Sequence, residues 1–192
     1  MKKCIYLAIL LFLKGVVISC SGGSSYSGAA QDSAANKQTG NFDNKPQYAL
    51  QGDTSFAIDA AGNELAEMAL ANLALQQSND STVKEFAQFM IDDHSKVYKE
   101  LQDIALEKKM ILPVVLPTEH QKKIDDLKTK TGAEFNLVYV GSVLELHKEA
   151  LLLMEIGKKD VHDVELQSFA ERTYVTVRDH LARALDLQQS LK

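Results

Sequence analysis

The sequence predicts an all-α bundle of four long helices in which one connection is much longer than the others. Three observations carry that expectation. From Asp53 onward apolar residues recur at spacings of three and four, no stretch alternates as a strand does, and Pro113 and Pro117 break the helical pattern midway. The first helix spans about Thr54 to Gln77, is rich in alanine and stops at Ser78-Asn79-Asp80. The second opens on a capping box, Thr82-x-x-Glu85, whose hydroxyl and carboxylate satisfy otherwise unpaired backbone donors, and continues to about Lys109. After the prolines a short helix opens with Thr118-x-x-Gln121 and closes near Lys130. Thr131-Gly132-Ala133-Glu134 then combines a glycine stop with a new capping box for the third long helix, which Gly157 ends at Ile156. The fourth runs from about Asp163 to Ser190. Short loops make antiparallel hairpins of the first and last pairs, whereas about 23 residues separate the second long helix from the third. Two hairpins joined by one long crossover that contains a short extra helix make the ferritin-like arrangement.

Everything before Asp53 reads differently. Lys2 and Lys3 precede an apolar run from Ile5 to Leu13, which is too short to cross a bilayer and has the layout of a secretory signal over residues 1–19. Val17-Ile18-Ser19-Cys20 resembles the lipobox of bacterial lipoproteins, which implies that Cys20 is acylated and becomes the first residue after cleavage. Residues 20–52 are then a lipidated cysteine and a flexible linker: residues 21–52 hold five of the ten glycines and too little apolar surface to fold alone. Such a leash holds the 53–192 domain roughly 30 Å from the membrane. No acidic residue follows Cys20 directly, which by the same resemblance implies the outer membrane, facing the periplasm, within the bacterial cell envelope.

Charge and cysteine usage narrow the function. The three lysines of the first 19 residues are unaccompanied by any acid, so their removal takes the formal charge from −5 to −8 and disfavours nucleic acid as a partner. The only cysteines are Cys4 and Cys20, which excludes disulfides, thiolate metal sites and cysteine nucleophiles from the body of the protein. No Gly-x-Ser-x-Gly, His-Glu-x-x-His or nucleotide-binding loop appears.

Writing out the inward seams exposes the candidate site. The second helix gives Val83, Ala87, Met90, His94, Val97, Leu101 and Ile104, an apolar stripe interrupted once. The third long helix gives Leu137, Val140, Leu144, His147, Leu151 and Met154; the fourth gives Leu166, Ala170, Thr173, Val177, His180, Ala184, Leu187 and Leu191. In the first, Phe56, Ala60, Asn63, Glu67, Leu70, Ala74 and Gln77 place Glu67 inside. Glu67, His94, His147 and His180 each lie about 12 to 17 residues into their helices and so fall in one layer. An apolar bundle gains nothing from four polar groups at one height unless they satisfy one another or an ion. Three imidazoles and a carboxylate suit iron, manganese, zinc or copper in a mononuclear site; a hydrogen-bond network that fixes helix register is the other reading.

Leu65-Ala66-Glu67, Val83-Lys84-x-Phe86-Ala87-x-x-Met90-Ile91-x-Asp93-His94, Glu100-Leu101, Gly132-x-Glu134-Phe135-x-x-x-Tyr139, His147 and His180-Leu181 together resemble the bacterial domain of unknown function 4142, over residues of about 55 to 190. The resemblance implies a ferritin-like, envelope-located protein whose Glu and three His positions correspond to Glu67, His94, His147 and His180, and it implies no particular reaction. Asn136 stands where an acid commonly follows the Phe, and Leu146 where an acid commonly precedes the His. Ferroxidase chemistry is disfavoured: a di-iron centre needs Glu-x-x-His pairs, but Ile91, Leu144 and Val177 stand three residues before the histidines. Glu64 reads as a solvated helix face, Tyr98, Tyr139 and Tyr174 as packing aromatics, and His120 and His162 as histidines without a partner spacing. Two functions remain open: a metal-binding envelope lipoprotein, and a non-catalytic structural or partner-binding one.

Overall fold

The computed structural model describes residues 52–192; the predicted signal peptide, Cys20 and the linker up to residue 51 lie outside them. Five helices follow in order: α1 (Asp53–Gln77), α2 (Ser81–Glu107), α3 (Thr118–Lys128), α4 (Gly132–Asp160) and α5 (Val164–Ser190). The elements match expectation, but the capping chemistry differs. The Asp80 carboxylate accepts from Thr82 N and Val83 N at 2.9 and 3.1 Å, so an aspartate starts α2 where a Thr82 box was expected. Asp163 does the same for α5. A short carboxylate on extended backbone both satisfies unpaired N–H groups and complements the positive end of the helix dipole. The boxes expected at Thr118 and Thr131 do not form: neither helix has a side-chain cap, and Glu134 pairs instead with Lys130.

Side chains at the helix ends define the topology. Gln77, at the end of α1, donates to the Lys128 and Lys130 carbonyls at 3.0 and 2.7 Å, and Ser78 donates to Asn136 Oδ1 at 2.7 Å. At the other end the Asp53 carboxylate accepts from His162 N and Asp163 N at 2.8 and 3.0 Å. α4 therefore starts where α1 ends and runs antiparallel to it. α1 packs beside α2 and α4, and α5 beside α2 and α4, so α2 and α4 are parallel and diagonal. The segment between them must climb the length of the bundle. It does so against its flank, where Tyr98 donates to the Pro113 carbonyl at 2.9 Å, Pro117 lies against Gly62, and α3 rests on α1 and α4. This is the ferritin-like bundle with one long crossover.

The interior consists of two apolar clusters. One, nearer the start of α4, holds Leu70, Met90, Leu127, Phe135, Tyr139, Val140 and Leu187; the other holds Phe56, Leu101, Leu153, Met154, Leu166 and Phe169. Each gathers side chains from several helices, so residues 52–192 enclose a complete core and meet the requirement for folding independently. Among the described residues no helix is long and apolar enough to cross a membrane. The seams hold best outside α4, where Leu137 is 40% exposed and the stacked pair Phe135 and Tyr139 turns inward in its place, and where Leu153 is buried while the expected Leu151 is only partly so. A four-residue step between two large rings buries more apolar surface than a lone leucine.

Gly157 does not end its helix. It lies buried within α4, and a Cβ built there would stand 2.4 Å from Phe56 Cε2 and 2.9 Å from Ala170 Cβ. Its role is close approach between helices rather than a stop. Gly157→Ala is expected to destabilise the fold by about 1–3 kcal/mol through overpacking. Gly141→Ala, where a Cβ meets nothing within 4 Å, is expected to stabilise it by about 0.5–1 kcal/mol. Denaturant unfolding of both variants beside the parent checks the pair.

Candidate metal centre

Between the two apolar clusters lies a polar layer formed by α1, α2, α4 and α5. His94, His147 and His180 are buried, and one ring nitrogen from each lies within 4.8 Å of the others. Their ring centroids are 5.0 to 5.6 Å apart. α2, α4 and α5 each contribute one imidazole because the three- and four-residue steps of their apolar seams carry the histidine to the same height.

Each ring is held from outside. Nδ1 of His94 lies 2.7 Å from Glu64 Oε2, Nδ1 of His147 lies 2.9 Å from the Val143 carbonyl, and Nε2 of His180 lies 3.3 Å from Asp93 Oδ2. With those outer nitrogens donating to acceptors, the hydrogen bonds assign the tautomers. The unprotonated nitrogens, Nε2 of His94, Nε2 of His147 and Nδ1 of His180, are then left for the interior. Nε2 of His147 is buried without any hydrogen-bond partner. The His94 and His180 inner nitrogens face each other at 3.3 Å. Two nitrogens bound tetrahedrally to one ion at 2.0–2.1 Å are separated by ~3.3 Å, so this spacing fits a shared ligand sphere. Orientation of ligating imidazoles by carboxylates and carbonyls on their far nitrogens is the usual second support of a metal site.

The structure brings the three histidines together and sets Glu67 against the outer edge of His147, with Oε1 2.8 Å from Nδ1. That oxygen makes no aligned hydrogen bond, because the N–H is directed at Val143; both Glu67 oxygens are buried and unpaired. Glu64, expected to face solvent, is 3% exposed and pairs with His94. Its position three residues before Glu67 was the available sign, since residues three apart share a helix face. Asp93, beside His94, reaches across to His180. Of the tyrosines, Tyr139 is fully buried with an unpaired hydroxyl, and burial together with Glu67 raises its pKa.

Electrostatics separate the rings. Burial opposes charge on His94, but the Glu64 carboxylate outweighs it and raises the pKa above the ordinary histidine value of 6.5. Burial, reinforced by repulsion from His94 and His147, lowers His180 to about 4 despite Asp93. Between those values the unfolded chain binds more protons than folded His180, so its contribution to stability is complete above pH 6.5 and is lost as pH falls toward 4. His94 acts in the opposite sense, contributing in acid and losing that contribution as pH rises through its raised folded value.

Residues 33–187 match the family described as "Domain of unknown function (DUF4142)". The chain belongs to that family. Asn136 and Leu146, where the resemblance implies acids, lie away from the rings' supports: Asn136 accepts from Ser78 at the end of the bundle, and Leu146 is buried in an apolar cluster. No curated protein matches the sequence. Among solved structures, the crystal structure of a DUF305 fragment from Deinococcus radiodurans is similar, with 13% identity and a TM-score of 0.65 over 71% of this chain and 95% of that one. That likeness concerns the fold.

In a histidine NMR titration of the metal-free domain, His94 is expected to take up its proton at higher pH than His180. Glu64→Gln is expected to lower the His94 midpoint. A common midpoint for both rings, unmoved by that substitution, would contradict the assignment of Glu64 as the group that charges His94.

Proposed function

We propose that the domain binds one divalent transition-metal ion, iron, manganese, zinc or copper, through His94, His147 and His180, with Glu67 as the adjacent carboxylate. The observation that carries this reading is the convergence of three ring nitrogens whose partners on the far side leave them without protons. A hydrogen-bond network is the competing reading, supported by the 3.3 Å contact between His94 and His180, which one proton satisfies. It leaves His147 Nε2 and both Glu67 oxygens unpaired in the interior, a situation that costs about 1–3 kcal/mol per group. Charge bears on the same choice: among the described residues Glu64 and Glu67 face histidines and no Lys or Arg, and a dication would offset the carboxylate charge that a proton on His94 alone leaves.

When bound, such an ion supplies Lewis acidity, or electron transfer if it is redox-active. The chain's own part is to present three imidazoles, with His94 giving up its proton when the ion binds, keep Glu67 beside His147 and exclude bulk water. The absence of Glu-x-x-His pairs favours a mononuclear centre. The layer is tested by melting metal-stripped residues 53–192 with and without each metal. A metal present at 100 times its dissociation constant is expected to add about 2.7 kcal/mol of stability. His147→Ala is expected to abolish that gain; no gain with any of the four metals overturns the reading in favour of the hydrogen-bond network.

We further propose that the domain is displayed on the bacterial envelope by acylated Cys20, at the outer membrane facing the periplasm. The lipobox-like Val17-Ile18-Ser19-Cys20 and the glycine-rich segment after it support this. In cells expressing the full chain, Cys20→Ser is expected to abolish incorporation of labelled fatty acid and move the protein from the membrane to the soluble fraction; unchanged labelling and fractionation count against the anchor.

A further inference from the structure

A centre whose three histidines are at most 2% exposed needs a route by which an ion reaches it. α3 lies over the groove between α1 and α4, the helices that carry Glu67 and His147. Pro117 meets α1 at Gly62, and α3 then runs in the direction of α1, since its far end is held by Gln77. At ~1.5 Å of rise per residue, His120 stands within a turn of the height of Glu67. It is 6% exposed, and its Nδ1 is buried with no hydrogen-bond partner. Its Nε2 lies 3.7 Å from Oε1 of Glu119, whose side chain is 61% exposed.

The surroundings suit a passing cation. Burial is the main influence that lowers the pKa of His120, aided by Lys123, so the ring is neutral and its lone pair is available; the carboxylates of Glu119, Glu149 and Glu67 all act on it. Asp59, half-buried on α1, has its pKa raised by burial and by Glu119. The other buried side chains of α3, Ile124 and Leu127, are apolar and account for its seating. His120 alone among the buried side chains of α3 brings in a nitrogen that finds no partner.

We propose that His120 is a port residue, a transient ligand that takes a divalent cation arriving at Glu119 and passes it between α1 and α4 to Glu67 and the three-histidine layer. The proposal rests on the metal-binding reading above. A port lies on the path and not at its end, so it changes the rates of uptake and release by the same factor and leaves the equilibrium unchanged.

The test is stopped-flow uptake of Co²⁺ by residues 53–192, followed by visible absorption, with release measured by chelator competition. Wild type is compared with His120→Gln and His120→Leu, each checked for helicity and melting temperature. The expected result is a drop on the order of tenfold in both rates, from loss of one transient ligand on the path, with Kd unchanged within about twofold. Unaltered rates in either folded variant overturn the port. So does a weakened Kd with the uptake rate retained, which makes His120 part of the final site. If wild type takes up no Co²⁺ and none of the four metals stabilises it, the metal-binding reading itself falls, an outcome distinct from wild-type uptake that His120 does not control.

Discussion

The arrangement of the molecule turns on how three buried imidazoles are held. An imidazole in an apolar interior needs a partner for each nitrogen, and here the outer nitrogens find theirs in Glu64, the Val143 carbonyl and Asp93. These partners come from three different helices, α1, α4 and α2. His94 on α2 depends on an acid from α1, and His180 on α5 depends on an acid from α2, so rotating or sliding α2 by a single residue breaks support in two places. Apolar contacts tolerate such slips far better than directional hydrogen bonds do.

The chain topology serves that requirement. α2 and α4 are parallel and diagonal, an arrangement that two hairpins joined by a tight loop cannot reach, so the crossover must traverse the bundle. Pro113 and Pro117 stop helix formation along part of the climb, and Gly62 lets the chain lie against α1. At the opposite end of α4, Gly157 admits the Phe56 ring between helices. Close packing at one end and the crossover along the flank leave the polar layer between two sealed apolar clusters, where low polarisability makes every unpaired nitrogen or oxygen costly.

Much of this was legible in the sequence because helical periodicity reports which face is buried. A histidine that interrupts an otherwise apolar seam is conspicuous, and three of them at matching depth specify a layer before any coordinates exist. The supporting acids were harder to see. Glu64 and Asp93 sit beside the seam rather than on it, where a carboxylate ordinarily meets water; only the identity of the facing residue, a histidine on another helix, turns them inward. Local signals misled in a similar way at the helix ends. Thr82 and Thr131 satisfy the capping-box pattern, but Asp80 caps α2 two residues earlier by accepting from Thr82 N and Val83 N, and Lys130 takes Glu134 away from its box. Gly157 has the composition of a stop and the function of a contact, a difference that depends on Phe56 a hundred residues earlier in the chain.

Glu67 brings these strands together. Its carboxylate is buried beside a ring whose N–H is already committed to Val143, so neither oxygen is satisfied by the protein's own donors. Removing such a group from water costs several kcal/mol unless charge or hydrogen bonds compensate. Asn63 Nδ2 and the Tyr139 hydroxyl, on the same two helices, are likewise buried and unpaired. These orphans lie near Glu67, on the outer edge of His147, while Nε2 of the same ring is orphaned on its opposite side. An ion held by the three inner nitrogens would accept their lone pairs, and its charge would offset that of the nearby carboxylate.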